Sequence, residues 1–423
     1  MKKTIIFFLA LLGMLFCSCG VPRGEEESRI NAAEYGVLPE NTPAENTKNL
    51  QELIDSLFED GGVIYIPEGV YRFAEGARQT IGSHCIRMRS GVSIVGDGEA
   101  TVLMPVGDSA AGLDMFYFND YLDTGSPVYL VGCRFEDFVI DGKETTTAGY
   151  TSAGKGFMFN LFRDCHWRRV TVRNTDATGF GVDCPVDSSI TDCLAVNCGK
   201  AAKDDSSGAS GFGIGFGYSD GESITVSDCR AVGNKKFGFF FEHQGRFNAA
   251  KYTAAAGDFR VTGCTAEGNL YNFGGISAAN TTYTDCHSQA ALKYGYYFED
   301  STYSSVTGST SESEGEAAFT LLSTGTGRPY PETRGVRFTD SSAELTPCGV
   351  LLVNRGEPSC MSDNEVSGCR LLATSDIAVA EGRVGSHTFK NNTAEGGVLR
   401  VDSVEELTDI SNSWNNQKLG ESN

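Results

Sequence analysis

Three acidic residues share one setting in the 423-residue chain: Asp183 ends GFGVD (179–183), Glu242 ends GFFFE (238–242) and Glu299 ends GYYFE (295–299). Carboxylates held a fixed distance apart can divide acid and base roles, with burial and mutual repulsion tuning their proton affinities. The segments that carry them recur. GFMFN (156–160), GFGIG (211–215), FGGIS (273–277) and, more loosely, EAAFT (316–320) repeat a glycine-aromatic-x-apolar-x pattern. Side chains alternate across a strand, so Phe180 and Val182 share one face while Gly181 and Asp183 share the other. Across the repeats the first face reads Phe157/Phe159, Phe180/Val182, Phe212/Ile214, Phe239/Phe241 and Tyr296/Phe298, which is the expected core. The second presents Met158, Gly181, Gly213, Phe240, Gly275 and Tyr297 beside Asn160, Asp183, Gly215, Glu242, Ser277, Glu299 and Thr320.

Glycines beside a polar column leave bare backbone, which is how a stack of strands makes a shallow groove for an extended polymer. The expected catalytic residues are therefore Asp183, Glu242 and Glu299, with Asn160, Arg163, Arg246, Ser277, Tyr297, Gly181 and Gly213 as expected ligand contacts. Neighbouring strands lie roughly 4.8 Å apart, which puts acids on alternate coils roughly 10 Å apart at the backbone. Carboxyls leaning inward then reach the roughly 6.5–9.5 Å that suits inverting glycoside hydrolysis, with a water between them. The same column could instead be merely hydrated, or share a Ca²⁺ ion. His243 and Cys184 fall in a mostly apolar column and read as a satisfied histidine and a packing thiol. The segments 107–130, 142–155, 199–210, 243–259 and 323–335 interrupt the repeats and can wall the groove, supplying Tyr150, Lys155, Lys200, Lys203, Asp204, Asp205, Arg246 and Lys251.

The elements that position these residues follow from the same repetition. Cysteine recurs in RDC165, TDC193, SDC229, TGC264, TDC286 and SGC369, a shared local context that a disulfide framework does not require but a stacked column does. These read as one buried thiol ladder, and Asn174, Asn234 and Asn269 as an amide ladder at a turn. Short strands, 51 glycines and 11 prolines point to a solenoid in which no coil buries its apolar face alone. Residues 43–60 carry Leu50, Leu53, Ile54, Leu57 and Phe58 at helical spacing, with Asn46 or Thr47 as N-cap. The expected architecture is all-β, a single-stranded right-handed parallel β-helix over residues 29–423. It has an α-helical cap at about 43–60, coils at about 61–405 and a C-terminal cap at about 406–423.

At the N-terminus, Lys2 and Lys3 precede an apolar run ending in FCSCG, which reads as an export signal over 1–19. It resembles a bacterial lipoprotein signal with Cys19 as the lipidated residue, followed by a tether over 20–28. That implies an exported outer-membrane lipoprotein, facing the periplasm or the cell surface, held by a lipid anchor. A net charge of −21 argues against a nucleic-acid partner, since phosphate contacts need clustered cations.

The residues Tyr35, Gly36, Gly61, Gly62, Pro67, Gly69, Tyr71 and Gly96, in EYGV, GGVIYIP and SGVSIVGDG, resemble the opening of the pectate-lyase superfamily of right-handed parallel β-helices. The run from RFEDFVIDG (134–142) through GFGVDCP and SGFGIGFG resembles mannuronan epimerase and alginate lyase modules. Asp183 matches their catalytic aspartate, while Phe180 and Pro185 stand where their tyrosine and histidine would be. The resemblance implies lyase or epimerase chemistry on an extracellular polysaccharide. The carboxylate column implies hydrolysis through Asp183 and Glu242, and a β-helix of this kind can also serve as a non-catalytic glycan-binding or adhesive surface.

Overall fold

The computed structural model describes residues 29–414 apart from 120–124, 126, 204–208 and 256; the expected signal, Cys19, the tether, Asp204 and Asp205 lie outside the described residues. Among the described residues, 37 strands join one sheet whose long-range pairings are almost all parallel, wound as a right-handed β-helix. Each coil contributes up to three short strands, and each strand bonds to its counterpart one coil on. The face that matters below carries β1 (Phe157–Arg163), β2 (Phe180–Val186), β3 (Phe212–Phe216), β4 (Phe237–His243), β5 (Tyr271–Ile276), β6 (Tyr294–Glu299) and β7 (Ala317–Ser323).

Alternation drives this arrangement. The inward residues Phe157, Phe180, Phe212, Phe239, Phe273, Tyr296 and Phe319 pair in register and stack, with centroids 4.7 Å apart at Phe180–Phe212 and Phe212–Phe239. Each buried ring contributes about 1.5–3 kcal/mol relative to an exposed one. Stacked pairs add about 0.5–1.5 kcal/mol. The spine fixes register, because a one-residue slip would turn every ring to solvent.

The corners explain the cysteine contexts. In each, an Asp or Gly adopts a left-handed conformation (Asp192, Asp228, Gly263 and Asp285 at φ between +51° and +63°) and the next residue points inward. Its side chain then accepts the backbone N–H of the preceding coil: Cys193 N donates to Cys229 Sγ and Cys229 N to Cys264 Sγ, both at 3.4 Å. Serines take over further along, Cys286 N donating to Ser309 Oγ and Ser309 N to Ser341 Oγ. Cys165 belongs to a different corner, where its N–H donates to Ser188 Oγ, so the expected single ladder is two. A left-handed aspartate before an inward residue suits either corner, which is why the contexts look alike. Asn234 and Asn269 do form an amide ladder, Asn269 Oδ1 accepting from Asn234 N and Nδ2 at 2.8 and 2.9 Å. Asn174 does not join it: it occupies the left-handed position itself (φ +56°) and donates to Asp141.

Helix α1 (Pro43–Ser56) buries Leu50, Leu53 and Ile54 against the end of the stack. Its N-cap is Thr42, in a reciprocal capping box with Glu45 and with Pro43 in the first turn, so the expected cap at Asn46 or Thr47 lies too far inside. The helix stops before Phe58, which is 55% exposed under the Arg89 guanidinium. Two expected boundaries also shift. Arg29–Asn31 already pairs with Gly62–Tyr65, so the ladder begins before the helix. At the other end Val404–Ile410 and Ser413–Trp414 still pair with the coil below, so coils run to Trp414 rather than about 405. Glu405, Glu406 and Asp409 on that last strand discourage edge-to-edge pairing.

Candidate functional site

Four strands in register, β1 to β4, put two outward columns side by side. One reads Met158, Gly181, Gly213, Phe240; the other reads Asn160, Asp183, Gly215, Glu242. Gly213 and Gly215 carry no side chain there, with Gly181 and Asp183 one coil before them and Phe240 and Glu242 one coil after. At about 4.8 Å per coil and 3.3 Å per residue, this board measures about 10 by 7 Å at the backbone. It is the floor of a cleft of 690 Å³ whose walls include Tyr150, Ser152, Lys155, Lys236, Gln244, Arg246, Phe247, Lys251 and Tyr252.

Glycine is required at two of these positions for close approach. A Cβ at Gly215 would lie 2.5 Å from Asp183 Oδ1 and closer still to Gln244 Nε2. Asp183 therefore folds across Gly215 toward Glu242, its Oδ1 accepting the Gly215 N–H at 2.8 Å. At Gly181 a Cβ would lie 2.9 Å from Lys155 Nζ, because the lysine side chain lies on the bare backbone there. Lys155 is itself fixed from behind. Asp114, fully buried, accepts the N–H groups of Gly154 and Lys155 at 2.7 Å and the Gln79 amide at 2.7 Å.

Charges in this cleft are few and strongly coupled. Burial raises the Glu242 carboxyl to about 7; Arg246, Lys155 and Lys236 oppose the rise and Asp183 adds to it. Arg246 Nη1 lies 3.2 Å from Glu242 Oε2, and a fifth of the Glu242 side chain remains open to the cleft. Burial also raises Asp183, against Lys155 and the Gly215 N–H. The Tyr150 phenol is pushed up by burial and by Glu242, so it stays protonated. Asn160 Oδ1 is buried without a hydrogen-bond partner, the acceptor a ligand hydroxyl would use.

Asp183, Glu242, Asn160, Arg246, Gly181 and Gly213 are thereby brought together, and four of the expected contacts are not. The repeat FGGIS is in register one residue later than its pattern suggests, because Phe273 is the core ring opposite Phe239. Gly274, not Gly275, then follows Phe240, and Ile276, not Ser277, follows Glu242. Ser277 lies beyond the strand at φ +52° and is buried, so it offers no ligand contact. In the EAAFT coil Phe319 pairs with Tyr296, so Leu322 rather than Thr320 stands beside Glu299. Ile276 separates Glu299 from Glu242, and Glu299 instead accepts the Tyr297 hydroxyl at 2.6 Å, outside the cleft lining. Tyr297 is nearly buried. Arg163 lies past the bend at Leu161 (φ +61°), its guanidinium 5.1 Å from the centre of the Tyr129 ring.

His243 is a buried structural residue: Nδ1 accepts the Gly245 N–H at 2.9 Å and Nε2 bonds the Ala254 carbonyl at 2.7 Å, anchoring the 243–254 segment. Cys184 is fully buried against Glu222, whose carboxylate caps the N–H groups of Gly217, Tyr218 and Ser219. Lys200 pins Gly142 and Thr145 rather than facing the cleft. Lys236 and Gln244 escaped sequence reasoning. Neither has a repeating context, although both flank β4, whose Glu242 was already marked.

Searches of solved structures find the fold among carbohydrate proteins. The mannuronan C-5 epimerase AlgE4 A-module of Azotobacter vinelandii superposes with TM-score 0.56 at 16% identity, over 92% of this chain and 95% of that one. A double-mutant tailspike protein of E. coli bacteriophage HK620 gives 0.61 at 14%, over 87% and 67%. A tailspike mutant in complex with pentasaccharide gives 0.60 at the same identity and coverage. The chain shares their parallel β-helix. No protein-family model and no curated sequence matches it.

Among the described residues no group of three or more His, Cys, Asp or Glu side chains could hold a metal. Asp183 and Glu242, interleaved with Gly215 and faced by cations, do not make the cage of six to eight oxygens that Ca²⁺ takes. The arrangement fits proton transfer beside an anion.

Proposed function

We propose that this chain is a carbohydrate-active enzyme performing acid–base chemistry of the lyase or epimerase type on an acidic polysaccharide. One observation carries the reading. In a chain of net charge −21, a single cleft gathers Lys155, Lys236, Arg246 and Lys251 around two carboxyls whose proton affinity is raised. A sugar C–H beside a carboxylate becomes acidic enough to lose its proton only when the negative charge growing on that carboxylate is stabilised. Lys155 and Arg246 supply that stabilisation. Glu242, ionised in about half the molecules near pH 7, takes the ring proton. The protonated Tyr150 phenol is the donor, either to the departing glycosidic oxygen as the C–O bond breaks and a C=C bond forms, or back to the carbon from the other side. Burial raises Glu242 and the charge of Asp183 adds to it. The solved relatives named above, a mannuronan epimerase module and a tailspike seen with a pentasaccharide, support a glycan ligand.

Inverting hydrolysis is a second reading, favoured by the lean of Asp183 over Gly215 toward Glu242. The decisive experiment is incubation of purified protein with mannuronan, polygalacturonate and a neutral β-glucan, following ultraviolet absorbance and reducing ends. Absorbance on an acidic polymer supports elimination, and reducing ends without absorbance support hydrolysis. Neither signal, but deuterium uptake into the polymer from deuterium oxide, supports epimerisation, and retention with none of these changes reduces the protein to a binding surface. Export and lipidation at Cys19 are part of the same proposal. Labelled palmitate should enter the wild-type chain and not Cys19→Ala.

A further inference from the structure

The board under the cleft is asymmetric. Three of its outward positions, Gly181, Gly213 and Gly215, carry no side chain of their own; Lys155 lies on Gly181 and the ends of Asp183 and Gln244 lie over Gly215, while Gly213 adjoins Phe240 in the same column. Gly274 follows it on the next coil, so a ring projects where both neighbours have none. Its plane is held by Phe237, fully buried and stacked on it at 4.4 Å, within a small apolar cluster that includes Ile276, Tyr297 and Leu322. The same cleft is lined by Phe247, which is 71% exposed on the four-residue helix α2 (Gly245–Asn248). With Tyr150 and Tyr252 also in its walls, the cleft offers flat apolar faces beside its cations and carboxyls; of these Phe240 is backed by packing and Phe247 is open to solvent.

We propose that Phe240 and Phe247 form a stacking subsite for the apolar C–H face of one pyranose ring, seated over Gly213. The ring stands against Phe240, which leaves its opposite side toward Lys155 over Gly181. A charged substituent on that side meets the lysine, while the edge of the ring lies between Asp183 and Glu242. The ligand class is therefore a pyranose carrying both an anionic group and an uninterrupted C–H face. A flat ring rewards a flat partner, so shape as well as apolarity matters at position 240. This inference rests on the glycan reading above, and it adds the orientation of the bound sugar.

The test uses the full chain with Asp183→Asn and Glu242→Gln, to prevent turnover, and measures affinity for mannuronan and polygalacturonate oligosaccharides by calorimetry. Phe247→Ala, an exposed change with little folding cost, should weaken binding about tenfold. Phe240→Ala should weaken it more. Phe240→Leu preserves the packing on Phe237 without the flat face and should still lose affinity, whereas Phe240→Tyr should retain it. Binding by the Leu or the Phe247→Ala variant equal to that of the parent overturns the stacking subsite and leaves the glycan reading standing. Failure of the parent to bind, together with no turnover by wild type on either polymer, overturns both.

Discussion

Asp183 and Glu242 differ from the many other acids of the chain in being desolvated together. Glu242→Gln should lower kcat by at least ~100-fold, the low end of what a positioned acid or base contributes, and Asp183→Asn should match that loss only if the reaction is hydrolysis, being milder if Asp183 is only a neighbouring charge. At pH 4.5, where Glu242 is protonated, thermal melting should stay near wild type in both. The Glu242 value near 7 gives two further outcomes. If Glu242 is the base, kcat/KM rises through a limb near pH 7; if it is a hydrolytic acid, activity falls through the same limb. Stability moves too. A carboxyl that binds its proton more tightly folded (about 7) than at its ordinary value of 4.5 destabilises the fold as pH rises across that window. Melting curves from pH 4.5 to 7 should therefore decline less steeply in Glu242→Gln than in wild type. Gly215→Ala would force Asp183 and Gln244 apart and should remove activity, with a stability loss of about 1–3 kcal/mol by chemical denaturation.

Among the elements, the strands carry the acids while the connecting segments carry the cations. Asp114 on the strand Leu113–Phe118 is the joint between them, holding the Gly154–Lys155 turn over the floor. Asp114→Ala strands the buried Gly154 N–H and loosens two half-buried donors, of which Gln79 keeps the Ile81 carbonyl, and should cost about 1–3 kcal/mol. Amide exchange should show faster opening of 150–156, and KM for an acidic polymer should rise as Lys155 loses its place. The strands of the β-helix were legible because glycine-aromatic alternation repeats. The register of β5 was not. FGGIS offers two glycines beside one ring, and only packing of Phe273 onto Phe239 selects which of them faces outward.

For the molecule as a whole, the corner ladders and the aromatic spine carry stability along the entire stack. Burial raises the Cys229 thiol, so it serves as an unreactive acceptor rather than a nucleophile. Serine already fills the same corner at Ser309 and Ser341, so Cys229→Ser should melt close to wild type. Cys229→Leu should lose about 1–3 kcal/mol by overpacking. Nearest-neighbour stacking also predicts that damage stays local, since each coil contacts only the coils beside it. A destabilised Cys229 coil should therefore lower protection against exchange in the coils beside it before it affects α1.

Period and alternation in the chain were enough to establish the solenoid, its aromatic interior, the inward thiols and the outward placement of Asp183 and Glu242. A two-residue repeat leaves a side chain only two faces to choose between, and burial chooses. Partnership among distant segments was beyond that reach. Tyr150 and Lys155 were legible as residues of walling segments, but the carboxyls they face were not; Lys236 had no repeating context, and Asp114 holds Lys155 from some forty residues away. Glu299 left the group for the converse reason, since a one-residue shift in β5 set Ile276 between it and Glu242. Local pattern encodes which way a residue points; which residues meet is encoded in packing, where the register of each coil and the anchoring of each loop are settled together.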